Sequence, residues 1–272
     1  MKKNIKIILV LVSILVIAIA LTPLISKKVI ASGPDIYGSS LGKILKQNKI
    51  VATVNGYPIY LSDIAIPYFS AADSYLAAKE KLENILNDPN ISETVKKNAE
   101  RDLSNPPDPI KILNARINAI LLYQDLKKKG LAPSESKVND DLIKLENSWE
   151  LNLKNYPNSK WSRFFISLKK SMGVKNNTDI LKYYKRLITT DNAYKIYREK
   201  LLTTVPKFTK EQIQKEMKDK NIPEQVAITN LENDFINRLL EKRAAELKKQ
   251  SDVKILDINS VKDLKRYFGI SR

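Results

Sequence analysis

The chain contains neither cysteine nor histidine. Without cysteine there is no disulfide, no thiol nucleophile and no thiolate ligand. Without histidine the commonest acid-base group and metal ligand is missing as well. A lipoprotein is excluded too, since its lipid is attached to a cysteine. Glycine is scarce, 7 residues in 272, which argues against a turn-rich β-sandwich and for helices. Acidic residues are outnumbered, 30 against 47 Lys and Arg, for a formal net charge of +17. No nucleic-acid recognition motif accompanies that charge. The basic residues are spread along the chain, as on solvated helix faces, and an anionic lipid or cell-wall surface is the other partner they suit.

What is present begins with residues 7–25, an apolar run of 19 interrupted only by Ser13, Thr22 and Pro23. At about 1.5 Å per residue a helix of that length spans about 28 Å, close to the ~30 Å hydrocarbon core of a bilayer. Lys2, Lys3 and Lys6 precede it and hold the short amino-terminal tip in the cytoplasm. The spacing predicts a transmembrane anchor. The alternative is a signal peptide cut after Val29-Ile30-Ala31, against which stands the length of the run. Both place the rest of the chain outside the cell. Residues 32–48 hold Gly33, Pro34, Gly38, Ser39, Ser40 and Gly42 and read as a tether.

Residues 50–54 alternate and are β-branched, Asn55-Gly56 is the strongest short hairpin signal, and residues 57–61 form the return strand. Apolar spacing then predicts a series of helices. Ser62 caps the first, and Pro67 should kink it or delay its start. Asp108 and Pro109 open a second, whose two apolar stripes mark it as the central core helix, stopped by Gly130. Val138, Leu142, Leu145, Trp149 and Leu153 form the next stripe. Trp161, Phe164, Phe165, Leu168 and Met172 form another, ended by Gly173. Thr178 caps a long helix carrying Leu181, Tyr184, Leu187 and Leu201. Thr209 and Gln212 have capping-box spacing. Pro223 opens the last long helix, with Ile228, Leu231, Phe235 and Leu239 on one face. Residues 253–255 are β-like, and Val261, Leu264, Tyr267 and Phe268 mark a small amphipathic tail over 259–272.

Residues 51–59, with Val54, Asn55, Gly56 and Ile59, resemble the hairpin that opens the peptide-binding domain of SurA/PrsA-type extracytoplasmic foldases. Residues 120–124 with the Lys127–Gly130 stop, residues 134–142, the passage from Phe165 through Gly173 to Tyr184, and residues 248–256 resemble later parts of that domain in the same order. The resemblance covers roughly residues 48–258. It implies a mostly helical SurA-N/trigger-factor-like chaperone domain over 49–258, in which the strand at 253–256 returns to the hairpin. It also implies that the partners are unfolded secreted polypeptides. Many relatives carry a parvulin isomerase domain before the last helix. Residues 205–223 leave no room for one, because a domain needs at least ~50 residues, and the histidines such sites use are absent. The expectation is an anchored, ATP-independent folding helper with no cofactor and no metal. An isomerase related by family and an envelope adaptor for one partner are the alternatives.

Few residues hold chemistry. Residues 38–44 distantly resemble a phosphate loop, but three residues separate the glycines where four are needed, and Ile44 stands where Ser or Thr must be. Asp140 and Asp141 are adjacent on a helix and point to different sides, and Glu241 and Glu246 read as solvated acids. The aromatic residues are the better candidates. Trp161, Phe165, Tyr183, Tyr184, Tyr194 and Tyr197 are expected to line a groove for unfolded segments, with ordinary core packing as the alternative. Tyr183 and Tyr184, about 100° apart around their helix, should not both face one core.

Overall fold

The hairpin forms as its sequence requires, and the rest of the molecule assembles around it. This computed structural model describes residues 33–220 and 222–268. The apolar run 7–25 and the cleavage site after Ala31 lie outside the described residues. Among the described helices none is long and apolar enough to cross a membrane.

Strands β1 (Ile50–Val54) and β2 (Tyr57–Tyr60) pair antiparallel, with Val54 opposite Tyr57. Asn55 and Gly56 take φ of 50° and 77°, the left-handed pair that a two-residue hairpin turn demands. Strand β3 (Val253–Ile255) lies antiparallel on the other side of β1, Val54 opposite Val253 and Ala52 opposite Ile255. The sheet order is therefore β2-β1-β3. Amino- and carboxy-terminal segments build one sheet, as the resemblance implied.

Ten α-helices surround it among the described residues. The first corrects the sequence reading. Residues expected to be a tether form α1 (Gly33–Gln47), with Leu41, Ile44 and Leu45 buried. Its small residues serve close packing rather than flexibility. A Cβ on Gly38 would stand 2.2 Å from the Phe164 carbonyl oxygen, and one on Gly42 2.7 Å from Ser171 Cβ. These neighbours belong to α6 (Lys160–Met172). Ser167 and Ser171 of α6 donate to the carbonyls of Asp35 and Ser39 at 2.7 and 2.8 Å. The matching order of the contacts makes α1 and α6 a parallel pair.

Helix α2 (Leu61–Asn87) starts directly after β2. Its cap is Tyr60 rather than Ser62, with Asp63 Oδ2 accepting from the Tyr60 N–H at 2.9 Å. Pro67 sits inside the helix and does not delay its start. The first half of α2 is core, and the second half pairs with α3 (Glu93–Leu103), where Tyr75 donates to the Leu103 carbonyl at 2.9 Å. Helix α4 (Pro109–Lys128) begins on the expected cap, with Asp108 accepting from Ile110 N–H at 3.1 Å. It is the central helix: Leu113, Ile117, Ile120, Leu121, Leu122 and Leu126 are all buried, and so are Arg116 and Asp125.

Helices α5 (Glu135–Asn155), α6 and α7 (Thr178–Leu202) pack around α4 and the sheet. Asn177, not Thr178, precedes α7 as its cap residue. Helix α8 (Lys210–Lys220) uses the predicted Thr209–Gln212 capping box and has no buried side chain. Helix α9 (Glu224–Lys249) buries Ala227, Ile236, Leu240 and Ala244. That ridge is rotated from the expected face of Ile228, Leu231, Phe235 and Leu239, because two alanines bring the helix close at positions a search for large side chains passes over.

Helix α10 (Ile258–Asp263) and a 3-10 turn (Leu264–Phe268) are the last described elements. Val261 and Leu264 are fully buried in the main core, so the expected tail is part of the domain. Its cap Asp257 accepts from Ser260 N–H at 2.9 Å and pairs with Lys49 Nζ at 2.5 Å, tying α10 to the start of β1.

Two variants test the architecture. Removing everything after Gln250 exposes the β1 edge and the pocket left by Val261 and Leu264, and should abolish cooperative thermal unfolding. Gly38→Ala forces α1 off α6; overpacking of this kind costs about 1–3 kcal/mol, read as a fall in Tm of roughly 2–10 °C for a domain of this size. A truncated chain that melts like the parent contradicts the two-ended sheet.

Candidate functional site

The hairpin motif is a structural junction. The Asn55 side chain donates to Gln124 Oε1 at 2.7 Å and to Ser251 Oγ at 3.2 Å, and accepts from the Asp252 N–H at 2.8 Å. Gln124 in turn donates to the Val54 carbonyl at 3.0 Å. One amide therefore joins the turn, α4 and the entry to β3. Val54 and Ile59 are fully buried below it.

The six aromatic residues divide between two clusters. Phe165 is buried and stacks on Trp161, centroids 5.1 Å apart with rings 9° from parallel. Trp149 lies 4.8 Å from Phe165 and 5.1 Å from Tyr184. This chain of rings binds α5, α6 and α7 to one another. Burial pushes the Tyr184 hydroxyl well above the ordinary tyrosine range. Tyr183 is buried in the main core, and the partly buried Tyr184 packs against the same core. The expectation that they could not share a core fails because α7 packs against both α4 and α5, so more of its circumference is covered than one stripe. Tyr194 and Tyr197 sit elsewhere, with Leu122, Leu201, Phe235, Ile236 and Leu240 in a second cluster between α4, α7 and α9.

Polar ties cross that second contact. Asp125, almost buried on α4, takes hydrogen bonds from Lys129 at 2.7 Å, from Arg243 of α9 at 2.9 Å and from the Tyr197 hydroxyl. Burial alone would raise its carboxyl, but the hydrogen bonds from Lys129 and Arg243 outweigh that and hold it below the ordinary range. Tyr194 donates to Asn237 at 3.0 Å, and Arg198 bonds Asn233. On the other side of α4, Arg116 reaches Thr190 at 2.5 Å and Asp191 at 3.2 Å. These networks join helices. Asp141 turns to Asn192 and Lys137 while Asp140 is exposed, and Glu241 and Glu246 are both exposed. No group of acids able to hold a metal occurs among the described residues.

Exposed apolar side chains occur at several places among the described residues, α5 among them, where the aromatic reading did not look. On α5, Ile143 and Leu151 are 55% and 60% exposed, and Tyr156 just beyond the helix is 56% exposed. Ile143, Asn147 and Leu151 recur every four residues, one stripe along the solvent side. The signal was present in the sequence: both residues fall outside the stripe of Val138, Leu142, Leu145, Trp149 and Leu153, which does face the core.

Comparison with known protein families, characterised proteins and solved structures finds no match to this chain.

Asn55→Ala removes three side-chain hydrogen bonds at a positive φ. With each bond contributing about 1 kcal/mol, it should lower Tm by roughly 5–10 °C. Asn55→Gly keeps the turn but not the bonds and should fall between the variant and the parent. Asp257 is held down to about 2 by Lys49 and Ser260, and Asp125 is also depressed. A depressed carboxyl adds stability above its unfolded value of ~4, lost as pH falls through the folded value. Thermal melts from pH 5 to pH 2 should therefore drop steeply in the parent and less steeply in Asp125→Asn/Asp257→Asn. Parallel pH profiles would contradict these ties.

Proposed function

We propose that this protein is a membrane-anchored, extracytoplasmic, ATP-independent chaperone that binds unfolded secreted polypeptides and does not isomerise proline. The observation that carries the reading is the apolar stripe of Ile143 and Leu151 on the solvent face of α5, whose other face is core. Exposed apolar side chains aligned on one face of a helix give an unfolded chain a surface to bind, though Asn147 divides the two. Aliphatic tips separated by Asn147 make contacts that depend little on client sequence.

The resemblance to SurA/PrsA-type foldases supports the same reading. A sheet closed by the last strand on the first hairpin is what that resemblance implies. Between α7 and α9 the chain provides only α8 and its connections, and the sequence has no histidine. The anchor in this reading is the apolar run 7–25.

The test is suppression of aggregation of several unfolded proteins by the full chain at low salt, alongside a proline-isomerisation assay. Uncatalysed exchange takes tens to hundreds of seconds, so catalysis would be plain. The chain should suppress aggregation and leave the isomerisation rate unchanged. Ile143→Glu/Leu151→Glu should lose most of the suppression at unchanged Tm, because both side chains are exposed. Binding to none of the clients, with one stoichiometric partner recovered from cells, replaces the chaperone by an adaptor. Isomerase activity abolished by a point mutation in this chain overturns the non-catalytic reading.

A further inference from the structure

The α1–α6 pair presents a second kind of surface. Helix α6 has four basic residues, Lys160, Arg163, Lys169 and Lys170, and no acid. Helix α1 adds Lys43 and Lys46 against one acid, Asp35 in its first turn. The buried side of α1 is set by Leu41, Ile44 and Leu45, and that of α6 by Phe165, Leu168 and Met172. Helical spacing then places Lys43, Lys46 and Ile36 on the outward side of α1, and Arg163, Ile166 and Lys170 on the outward side of α6. All six are exposed, Ile36 at 53% and Ile166 at 55%. Ser167 and Ser171 lock the two helices together, so the outward sides form one rigid face. It is basic, with two isoleucines rising from it.

We propose that this face lies against the anionic surface of the lipid bilayer in which the chain is anchored. The inference rests on the anchor reading of residues 7–25. Seven residues, 26–32, separate that run from the start of α1. Whatever path they take, they reach no more than about 25 Å. Because α1 is docked to the domain, that reach limits the domain itself. The two helices run parallel, so Ile36 and Arg163 stand at the end nearer the anchor. Lysines and arginines near an anionic leaflet are each attracted, the attraction fading within a Debye length of about 8 Å at physiological salt. Isoleucines at that depth lose water to the headgroup layer. The client stripe belongs to α5, whose buried Trp149 meets the buried Phe165 of α6, so the lipid-facing and client-facing surfaces are made of different residues.

The absence of cysteine provides the test. A single cysteine at Ile166→Cys or Ile143→Cys carries one environment-sensitive label on a site of equal exposure. The labelled full chain is reconstituted into vesicles of phosphatidylcholine, or of phosphatidylcholine with phosphatidylglycerol. The label at 166 should shift to the blue and be quenched severalfold more by a lipid-borne quencher in the anionic vesicles than in the neutral ones. The difference should vanish at high salt and in Lys43→Glu/Arg163→Glu/Lys170→Glu, whose Tm should match the parent. The label at 143 should remain in water throughout. Equal quenching in the two lipids, equal quenching at 143, or a signal that survives charge reversal overturns the proposal. Flotation with neutral vesicles reads the anchor separately. A chain that floats with them but shows no lipid dependence at 166 keeps its anchor and loses this face. A chain that floats only with anionic vesicles, through the three basic residues, keeps the face and loses the anchor.

Discussion

The side chain of Asn55 is the point at which the two ends of the domain are joined. Its partners Ser251 and Asp252 stand 196 and 197 residues away in sequence, and Gln124 stands 69 away. A hairpin of two short strands is marginal in water by itself. Here β1 becomes the central strand of a sheet only when β3 arrives, and β3 is tied to the turn by the same amide that shapes it. Asparagine suits the position twice over, since it tolerates positive φ and carries both a donor and an acceptor. The cost of the arrangement is kinetic. Contacts this distant close a long loop before they return any stability, so the sheet is incomplete until residues 251–255 are available.

Helix α4 turns that junction into a fold. It presents Leu113, Ile117, Ile120 and Leu121 to the main core and Leu122 to the second cluster, and three of its polar residues tie it to other elements. Asp125 holds α9 through Arg243, Arg116 holds α7 through Thr190 and Asp191, and Gln124 holds the hairpin. Partly exposed ion pairs of this kind contribute little net energy, about 0–1 kcal/mol each. Losing both Lys129 and Arg243 is a different matter, because Asp125 would be left nearly buried with no cation beside it. The burial of leucine and isoleucine supplies the stability, and the polar ties choose which helix lies where.

Much of this was legible in the sequence where the physics is local. The Asn55-Gly56 turn, the Asp108-Pro109 cap, the Thr209–Gln212 box and the stripe through Val138 and Trp149 each depend on neighbours within a few residues, and each is found as read. The caps expected at Ser62 and Thr178 were misplaced by one or two residues, but the larger misreadings share one cause, a partner distant in sequence. Gly38 and Gly42 read as a linker because their reason lies on α6, in the Phe164 carbonyl and Ser171. The alanines at 227 and 244 were passed over because their value is the close approach they permit. Tyr183 and Tyr184 were separated by helical geometry, and the structure covers α7 on two sides. For the candidate site, the aromatic residues marked the core, while Ile143 and Leu151 went unremarked as ordinary aliphatic residues until their exposure was seen.

The docking of α1 changes what the amino-terminal segment does to the domain. A flexible tether of 17 residues, 32–48, would let the domain turn freely above whatever holds its amino terminus, and every face would sample every direction. With α1 fixed against α6 by Gly38, Gly42, Ser167 and Ser171, residues 33–47 are part of the domain and no longer a tether. Orientation then follows from packing. The same serines and glycines that looked like a sign of freedom restrict it, because small side chains allow two helix backbones to meet and their carbonyls to be bonded across the contact. The face that α1 and α6 turn outward and the stripe that α5 turns outward are therefore held at a fixed angle to each other by the rings of Trp149, Phe165 and Trp161. The rings of Trp149, Phe165 and Trp161, read from the sequence as part of a binding groove, hold α5 to α6 by direct ring contact.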